Sequence, residues 1–174
     1  MRCIGWGVIV RLSLILLAAC APSSPALPAS PPAATLVPIT PSPALPAFID
    51  PVSSWIEVDL ARQVVILHEH GSVLAEFPAS TGVTTDPKYA TPPGLYQVQS
   101  KDKGPVESVP GVFVSDVVMF DIGKGNGFHS RPMDAQGNII EETLGKPSTA
   151  GCVRLGEAAA LFDFARVGMK VWIH

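Results

Sequence analysis

The sequence of 174 residues predicts a mainly β fold with one clear α-helix near the C-terminus. Two observations favour this class. Short runs rich in β-branched and aromatic residues recur between turn residues, and one of them, Trp55–Leu60, alternates as a strand does. A clear stripe of apolar residues at helical spacing occurs once, over Glu157–Arg166. The residues that fall on that stripe are Ala158, Leu161, Phe162 and Ala165.

The other elements are predicted in order along the chain. Val64–Leu67 and Val73–Phe77 flank a turn at His68–Ser72, which predicts a hairpin. A glycine-rich loop at 123–127 precedes Phe128 and His129, Asp134–Asn138 forms a turn, and Gly168 ends the helix. The remaining predicted strands are Leu95–Val98, Val112–Val114, Val117–Ile122 and Val171–Ile173.

The first 50 residues differ in composition from this domain. Leu12–Ala19 is apolar and follows two arginines, but it is too short to span a bilayer, which needs about 20 residues. Such a run is typical of a secretory signal. Residues 17–20, Leu-Ala-Ala-Cys, resemble the box at which bacterial lipoproteins are cut and lipidated. We therefore expect a signal peptide over residues 1–19 and a lipid on Cys20; the alternative is an ordinary signal peptide or an uncleaved anchor.

Residues 20–50 form a segment of Pro, Ala and Ser with no charged residue from Ala21 to Ile49. Its many prolines predict a semi-rigid, partly polyproline spacer; the alternative is a tail that is merely of low complexity. Behind a lipid anchor on Cys20, this spacer would hold the folded domain, residues 51–174, away from a membrane. The expected location is therefore the bacterial cell envelope, with the domain facing the cell wall.

The cysteines and the charge limit the classes of function. A net charge of −3 gives no electrostatic case for binding nucleic acid. Cys3 would leave with the signal and Cys20 would become a thioether. Cys152 would then be the one free thiol in an exported compartment, and such a leftover cysteine is a candidate reactive group. No Cys-x-x-Cys or His-x-x-x-His spacing indicates a metal site.

Cys152 and His129 are the candidate catalytic pair. A thiolate rather than a thiol attacks carbonyls, so a nucleophilic cysteine needs a base or a positive neighbourhood. We expect His68 and His70 to be solvated in the predicted hairpin turn, and His174, the last residue, to fray. His129 is therefore the best candidate base. The alternative is a buried cysteine and a hydrogen-bonded histidine with no chemistry.

Two residues beside Cys152 support this hypothesis. Gly151 allows a turn or a close approach of the backbone to a substrate, and backbone N–H groups there can face a developing oxyanion. Arg154 lies on the same side as Cys152 if the segment is extended, where it could favour the thiolate or hold a carboxylate. The alternative for Arg154 is a salt bridge to an acidic residue.

Taken together, these motifs resemble the L,D-transpeptidase catalytic domain, or YkuD, family. The family's mark is a His-Gly or His-Ser pair followed by Ser/Thr-x-Gly-Cys-x-Arg, and this chain has His129-Ser130 and then Ser148–Leu155. The resemblance covers about residues 55–174 and implies a β-sandwich-like YkuD fold. Other segments that carry the resemblance are Ile56–Leu60 with Gln63, Phe77–Gly82, Thr91–Gly94 and Gly168–Ile173.

The resemblance implies a reaction and its residues. Cys152 would attack the carbonyl before the terminal D-alanine of a peptidoglycan stem tetrapeptide and form a thioester. His129 would act as base and then acid, oriented by the carbonyl of Ser130. Gly151 and Cys152 N–H groups would bind the oxyanion, with Thr149 and Arg154 beside the substrate. An acceptor amine from a second stem would complete a 3→3 cross-link without a metal or cofactor, and carbapenem-type β-lactams are the expected inhibitors.

Two alternatives stay open beside this transpeptidase. The same site could hydrolyse the substrate as a carboxypeptidase, exchange D-amino acids or attach proteins to the wall, or the chain could be a non-catalytic lipoprotein that binds peptidoglycan. The sequence departs from the family pattern at two places. Ala150 stands where many members have histidine, and the 23-residue separation of His129 and Cys152 is longer than in many members. The extra length falls at Asp134–Glu142, which predicts a different loop over the site.

Overall fold

The computed structural model describes residues 44–174, so the predicted signal peptide, Cys20 and most of the predicted spacer lie outside the described residues. Within this range the chain forms eleven strands and one helix. Their bounds are β1 Trp55–Asp59, β2 Val64–Glu69, β3 Ser72–Ser80, β4 Gly94–Gln97, β5 Ser100–Asp102, β6 Val106–Val109, β7 Val112–Val114, β8 Val117–Asp121, β9 Asn126–His129, β10 Val153–Leu155, α1 Ala158–Phe164 and β11 Lys170–Ile173.

Nine of these strands form one sheet in the order β4-β11-β1-β2-β3-β10-β9-β8-β5. Two neighbouring pairs, β1 with β11 and β9 with β10, are parallel, and the other neighbours are antiparallel. The sheet curls, since β4 also contacts β8. β6 and β7 pair as a separate hairpin. The predicted class, mainly β with one helix near the C-terminus, is confirmed.

One hydrophobic core joins the strands to α1. Phe120 of β8 and Phe128 of β9 are fully buried and meet edge to face, with ring centroids 5.2 Å apart. Burying large aromatic rings of this kind is a major part of core stability. From α1 and its C-terminal end, Leu161 and Ala165 reach the same core. The strand that carries His129 is therefore anchored through Phe128.

The helix is shorter than its apolar stripe predicts. It spans Ala158–Phe164 rather than Glu157–Arg166, and Ala165 is already extended, with φ −64° and ψ 142°. The Lys101 ammonium donates to the carbonyls of Phe162 and Ala165, with a distance of 2.7 Å to the latter. A cation at the C-terminal end satisfies carbonyls that have no partner within the helix. No helix in residues 44–174 is both long and apolar enough to cross a membrane.

Two histidines lie in places that differ from the expectation. His68 is in β2, because that strand continues to Glu69 and the turn is reduced to His70 and Gly71, with φ of 51° and 78°. Two residues with positive φ are typical of a tight hairpin turn. The expectation of a solvated His68 is therefore wrong, since its ring stacks on Trp55 with centroids 3.8 Å apart.

His174 is equally ordered. The His68 and His174 rings each donate from Nε2 to the buried carboxylate of Glu57, at 2.7 and 2.8 Å. The His174 N–H also donates to the carbonyl of Val58 at 3.0 Å. The expectation that His174 frays is wrong, because a buried carboxylate needs hydrogen-bond donors and these two rings supply them.

Candidate active site

The two adjacent parallel strands β9 and β10 position the candidate catalytic residues. Their register pairs Phe128 with Val153 and His129 with Arg154. Phe128 and Val153 are fully buried in the core. Side chains alternate along a strand, so Cys152 and His129 project from the opposite face. Both line one cavity of about 580 Å³.

The His129 imidazole is oriented by its own neighbour. Its Nδ1 donates to the carbonyl oxygen of Ser130 at 2.6 Å. A carbonyl only accepts, so Nδ1 carries the hydrogen and Nε2 is left as the acceptor. Burial lowers the pKa of His129, the Ser130 hydrogen bond raises it, and the charge of Arg154 lowers it. The net direction is down, so the ring is a neutral base near neutral pH.

Ser130 is held in place by the segment between β7 and β8. Its N–H donates to the Ser115 carbonyl at 3.0 Å, and its Oγ accepts from the Ser115 N–H at 2.9 Å. Its hydroxyl donates to the Arg131 carbonyl at 3.0 Å. These contacts fix the position of the carbonyl group that orients His129. The Ser130 hydroxyl is itself occupied by hydrogen bonds to backbone groups.

Cys152 lies at a turn that the hydroxyl groups of two threonines stabilise through hydrogen bonds. The Thr91 hydroxyl donates to the Gly151 carbonyl at 2.9 Å, and the Thr149 hydroxyl donates to the Cys152 carbonyl at 2.6 Å. Gly151 has φ +114°, a conformation that side chains disfavour. The Sγ of Cys152 lies 3.5 Å from the Gly125 carbonyl. Within residues 44–174, Cys152 is a free thiol.

The thiol and the imidazole are both uncharged in the resting site. Burial raises the pKa of Cys152, while a backbone hydrogen bond with Gly127 lowers it, and the net direction is up. The pKa of His129 is shifted down. A raised thiol pKa and a lowered imidazole pKa both disfavour a thiolate–imidazolium pair. The sulfur therefore has to lose its proton to a base as it attacks.

The segment of Arg154 is extended, which is the condition under which the sequence predicts that Arg154 lies on the same side as Cys152, and Arg154 pairs with His129 in the sheet. Its guanidinium is engaged by the chain itself. Nη1 lies 3.6 Å from the carboxylate of Glu141 and donates to the Thr143 carbonyl at 3.3 Å. Burial lowers the pKa of Arg154 and the charge of Glu141 raises it. The salt bridge to an acidic residue, the alternative for Arg154, is thus the arrangement present here.

The segment Asp134–Glu142, at which the sequence predicts a different loop over the site, begins with a turn over Asp134–Asn138. Its turn closes through a 2.9 Å hydrogen bond from the Asp134 N–H to the Asn138 carbonyl. Phe113 and Met133 exchange two backbone hydrogen bonds of 2.8 Å, which tie the start of this loop to β7. Glu141 and Arg154 tie its end to β10. The loop is therefore tied to β7 at its start and to β10 at its end, and none of its residues lines the cavity of Cys152 and His129.

The walls of the cavity include residues that the sequence analysis missed. Lys124 and Asn126, on the turn before β9 and at its start, line the cavity near Cys152. The signal for Asn126 was present in the Gly-Asn-Gly run just before Phe128 and His129. Ala150 also lines the cavity. One wall is apolar and comes largely from β6, β7 and β8: Val106, Val109, Val114, Val117 and Met119.

No group of histidine, cysteine, aspartate and glutamate side chains suited to a metal ion occurs in the part of the chain that the structure describes. The fold and the cavity define a mainly β domain in which a cysteine and a histidine face one binding cavity. The model of the L,D-transpeptidase catalytic domain, YkuD, matches residues 53–173. The chain therefore belongs to this family.

Solved structures with the same fold include several L,D-transpeptidases. The enzyme from Mycobacterium smegmatis is 23% identical with a TM-score of 0.53, over 70% of this chain and 58% of that chain. LD transpeptidase LdtMt1, solved with imipenem, is 21% identical with a TM-score of 0.53 and the same coverage, 70% and 58%. An L,D-transpeptidase from Mycobacterium tuberculosis H37Rv is 22% identical, with a TM-score of 0.54 over 70% and 57%.

The chain thus spans less than two thirds of the length of these relatives. At such identities the likeness shows a shared fold. No curated protein sequence matches the chain significantly.

Proposed function

We propose that this protein is a peptidoglycan L,D-transpeptidase that acts through a thioester on Cys152. The observation that carries this proposal is the shared cavity, onto which the Cys152 thiol and the His129 ring both open. The hydrogen bond from Nδ1 to Ser130 leaves Nε2 of His129 as the proton acceptor. Membership of the L,D-transpeptidase family supports the substrate class, a stem peptide of the cell wall.

In the acylation step, Sγ of Cys152 attacks the carbonyl carbon before the terminal D-alanine, and its proton passes to Nε2 of His129. The carbonyl oxygen becomes an oxyanion, which backbone N–H groups at Gly151 and Cys152 would stabilise. When the oxyanion collapses, the carbon–nitrogen bond breaks and the imidazolium gives its proton to the leaving amine. The products are free D-alanine and a thioester.

In the second step, an acceptor amine attacks the thioester and His129 takes its proton. The carbon–sulfur bond breaks, and the proton returns to the sulfur as the thiol leaves. If the acceptor is the side-chain amine of a second stem, the product is a 3→3 cross-link. If the acceptor is water, the product is a tripeptide, and the enzyme is a carboxypeptidase.

Product analysis tests this proposal. The purified full chain is incubated with disaccharide tetrapeptides, and the products are separated and weighed. Cross-linked dimers with free D-alanine support transpeptidation, and tripeptides alone support hydrolysis. A substrate that is bound but never changed would contradict both reactions and indicate a non-catalytic binding protein.

The proposed chemistry extends to carbapenem-type β-lactams. Their strained carbonyl is open to the same attack by Cys152, and ring opening would leave a thioester on the enzyme. LdtMt1, a protein of similar fold, has been solved in complex with imipenem. Imipenem is therefore a suitable probe of the acylation step.

The rate of acylation by imipenem is expected to fall as the pH is lowered, and not as the pH is raised towards the pKa of the thiol. Neutral His129 is the form that accepts the proton, and burial lowers its pKa, so the acid limb has its midpoint below pH 6.5. Burial raises the pKa of the Cys152 thiol above 9.0, so no second limb appears between these values. The measurement is the rate against pH. An acid midpoint above pH 6.5, or thiolate absorbance at neutral pH, would contradict this account.

We also propose that the protein is exported and anchored by a lipid on Cys20, with residues 21–50 as a spacer. The support is the sequence of residues 17–20 and the uncharged, proline-rich segment after it. Cells fed radiolabelled palmitate are expected to label the wild-type chain and not the Cys20→Ala variant. Cys3→Ala is the matched control and should keep the label. Equal labelling of wild type and Cys20→Ala would rule out lipidation at this position.

A further inference from the structure

Asn126 has a largely buried side chain that lines the cavity of Cys152 and His129. The residue is only 5% exposed, yet it lines the cavity beside Cys152 and His129. Unlike Ser148 Oγ and Arg154 Nε, its amide atoms are not among the buried side-chain atoms of residues 44–174 that lack a partner. An amide N–H on the wall of a cavity can donate to a carbonyl oxygen of a ligand bound there.

The position of the amide relative to the nucleophile is specific. A Cβ atom on Gly151 would lie 2.6 Å from Oδ1 and 3.4 Å from Nδ2 of Asn126. The amide therefore packs directly against the residue that precedes Cys152. Because Gly151 has no side chain, the Asn126 amide can occupy this space next to the nucleophile.

One of the two expected backbone donors is already engaged at this turn. The Gly151 N–H donates to Thr149 Oγ1 at 3.3 Å. That hydroxyl in turn donates to the Cys152 carbonyl, which holds the turn closed. A carbonyl oxygen that gains charge next to Cys152 therefore needs a donor besides the Gly151 N–H, and the Asn126 amide is a neutral donor in the same cavity.

We propose that Asn126 is a catalytic residue whose side-chain N–H donates to the scissile carbonyl oxygen as that oxygen becomes an oxyanion. This inference rests on the proposed function. The hydrogen bond strengthens as Sγ bonds to the carbonyl carbon and negative charge moves to the oxygen. A preorganised donor of this kind acts mainly on the transition state, so its loss lowers the rate of acylation more than the binding of substrate.

Two reactions of Cys152 separate this role from a structural one. Acylation by imipenem passes through an oxyanion, whereas alkylation by iodoacetamide displaces iodide at carbon and forms no oxyanion. Both rates are measured on the Cys152 peptide by mass spectrometry, because the full chain also contains Cys3 and Cys20. Asn126→Ala and Asn126→Asp remove the N–H donor, and Asp keeps the shape of the side chain.

Both variants are expected to lose about 10² to 10³ in acylation rate, as when one oxyanion donor is removed. Alkylation of Asn126→Ala should match the wild type. Asn138→Ala, which changes the exposed asparagine bound to Asp134, is the matched control and should keep both rates.

Four results would overturn the inference or its basis. If acylation of Asn126→Ala falls no more than its alkylation, Asn126 only supports the turn. If Asn126→Asp is acylated as fast as the wild type, the shape of the side chain determines the acylation rate and the N–H donor does not. If imipenem acylates the wild type and both variants equally, only the role of Asn126 fails. If imipenem does not acylate the wild type at Cys152, the proposed function fails together with this inference.

Discussion

Replacing Cys152 with alanine is expected to abolish acylation by imipenem completely. Cys152 supplies the one thiol among the residues that line the cavity of His129, and alanine offers no atom that could form the thioester. The substitution should leave the fold intact, because the sulfur makes only weak contacts to the backbone, to the Gly125 carbonyl at 3.5 Å and to Gly127. The measurement is the intact mass of the protein after incubation with the drug.

The matched control for this variant is Cys20→Ala, which removes another cysteine of the chain. It should retain the full adduct, located on the peptide that contains Cys152. Circular dichroism should show the same thermal unfolding for wild type and Cys152→Ala. An adduct of the same mass that forms on Cys152→Ala at the wild-type rate would mean that another residue is the nucleophile.

Replacing His129 with glutamine or alanine is expected to slow acylation by about 10² to 10⁴, the usual effect of losing a general base. The reason is that the thiol is neutral at rest, since burial raises the pKa of Cys152. Without the ring, the thiol proton has no acceptor at the site of attack. The measurement is the rate of acylation by imipenem, followed by intact mass.

Added imidazole tests whether the lost group is the base. It should restore part of the acylation rate of His129→Ala, whose cavity has room for it, and should not affect the wild type. His70→Asn is the matched control, since His70 is exposed in the turn between β2 and β3. Equal losses in His129→Gln and His70→Asn would remove His129 from the mechanism.

The elements with a strong local pattern could be predicted from the sequence. The alternation in Trp55–Leu60 and the β-branched run at Val64–Leu67 correspond to β1 and β2, and Val171–Ile173 lies within β11. The hairpin between β2 and β3 is also present. Each of these segments carries its own periodicity, so pairing with distant parts of the chain is not needed to recognise it.

Strands that depend on distant partners were missed. β5 is Ser-Lys-Asp and has no apolar pattern; it is a strand because it pairs with β8. β10 has only three residues and lies between β3 and β9, so its strand character depends on Arg154 pairing with Ser80 and His129. The half-buried position of His68 likewise depends on Glu57 and Trp55, which belong to another strand.

The candidate site likewise combines features that the local sequence predicts with features that depend on tertiary packing. The Gly-Cys-x-Arg sequence and the upstream His-Ser pair suffice to single out Cys152 and His129, and family membership is confirmed. The apolar wall could not be predicted, because the β6–β7 hairpin reaches the cavity through tertiary packing. The salt bridge between Arg154 and Glu141 also depends on a loop whose path the sequence leaves open.

The most direct test of the central claim is to trap the acyl-enzyme with its own substrate. The full chain is mixed with a stem tetrapeptide in the absence of an acceptor stem, quenched in acid, and weighed intact. We expect a mass increase equal to the tripeptide acyl group, located on Cys152, with one D-alanine released for each acyl-enzyme formed. Release of D-alanine with no acyl group on Cys152 at any time, in a protein that Cys152→Ala does not inactivate, would contradict the account.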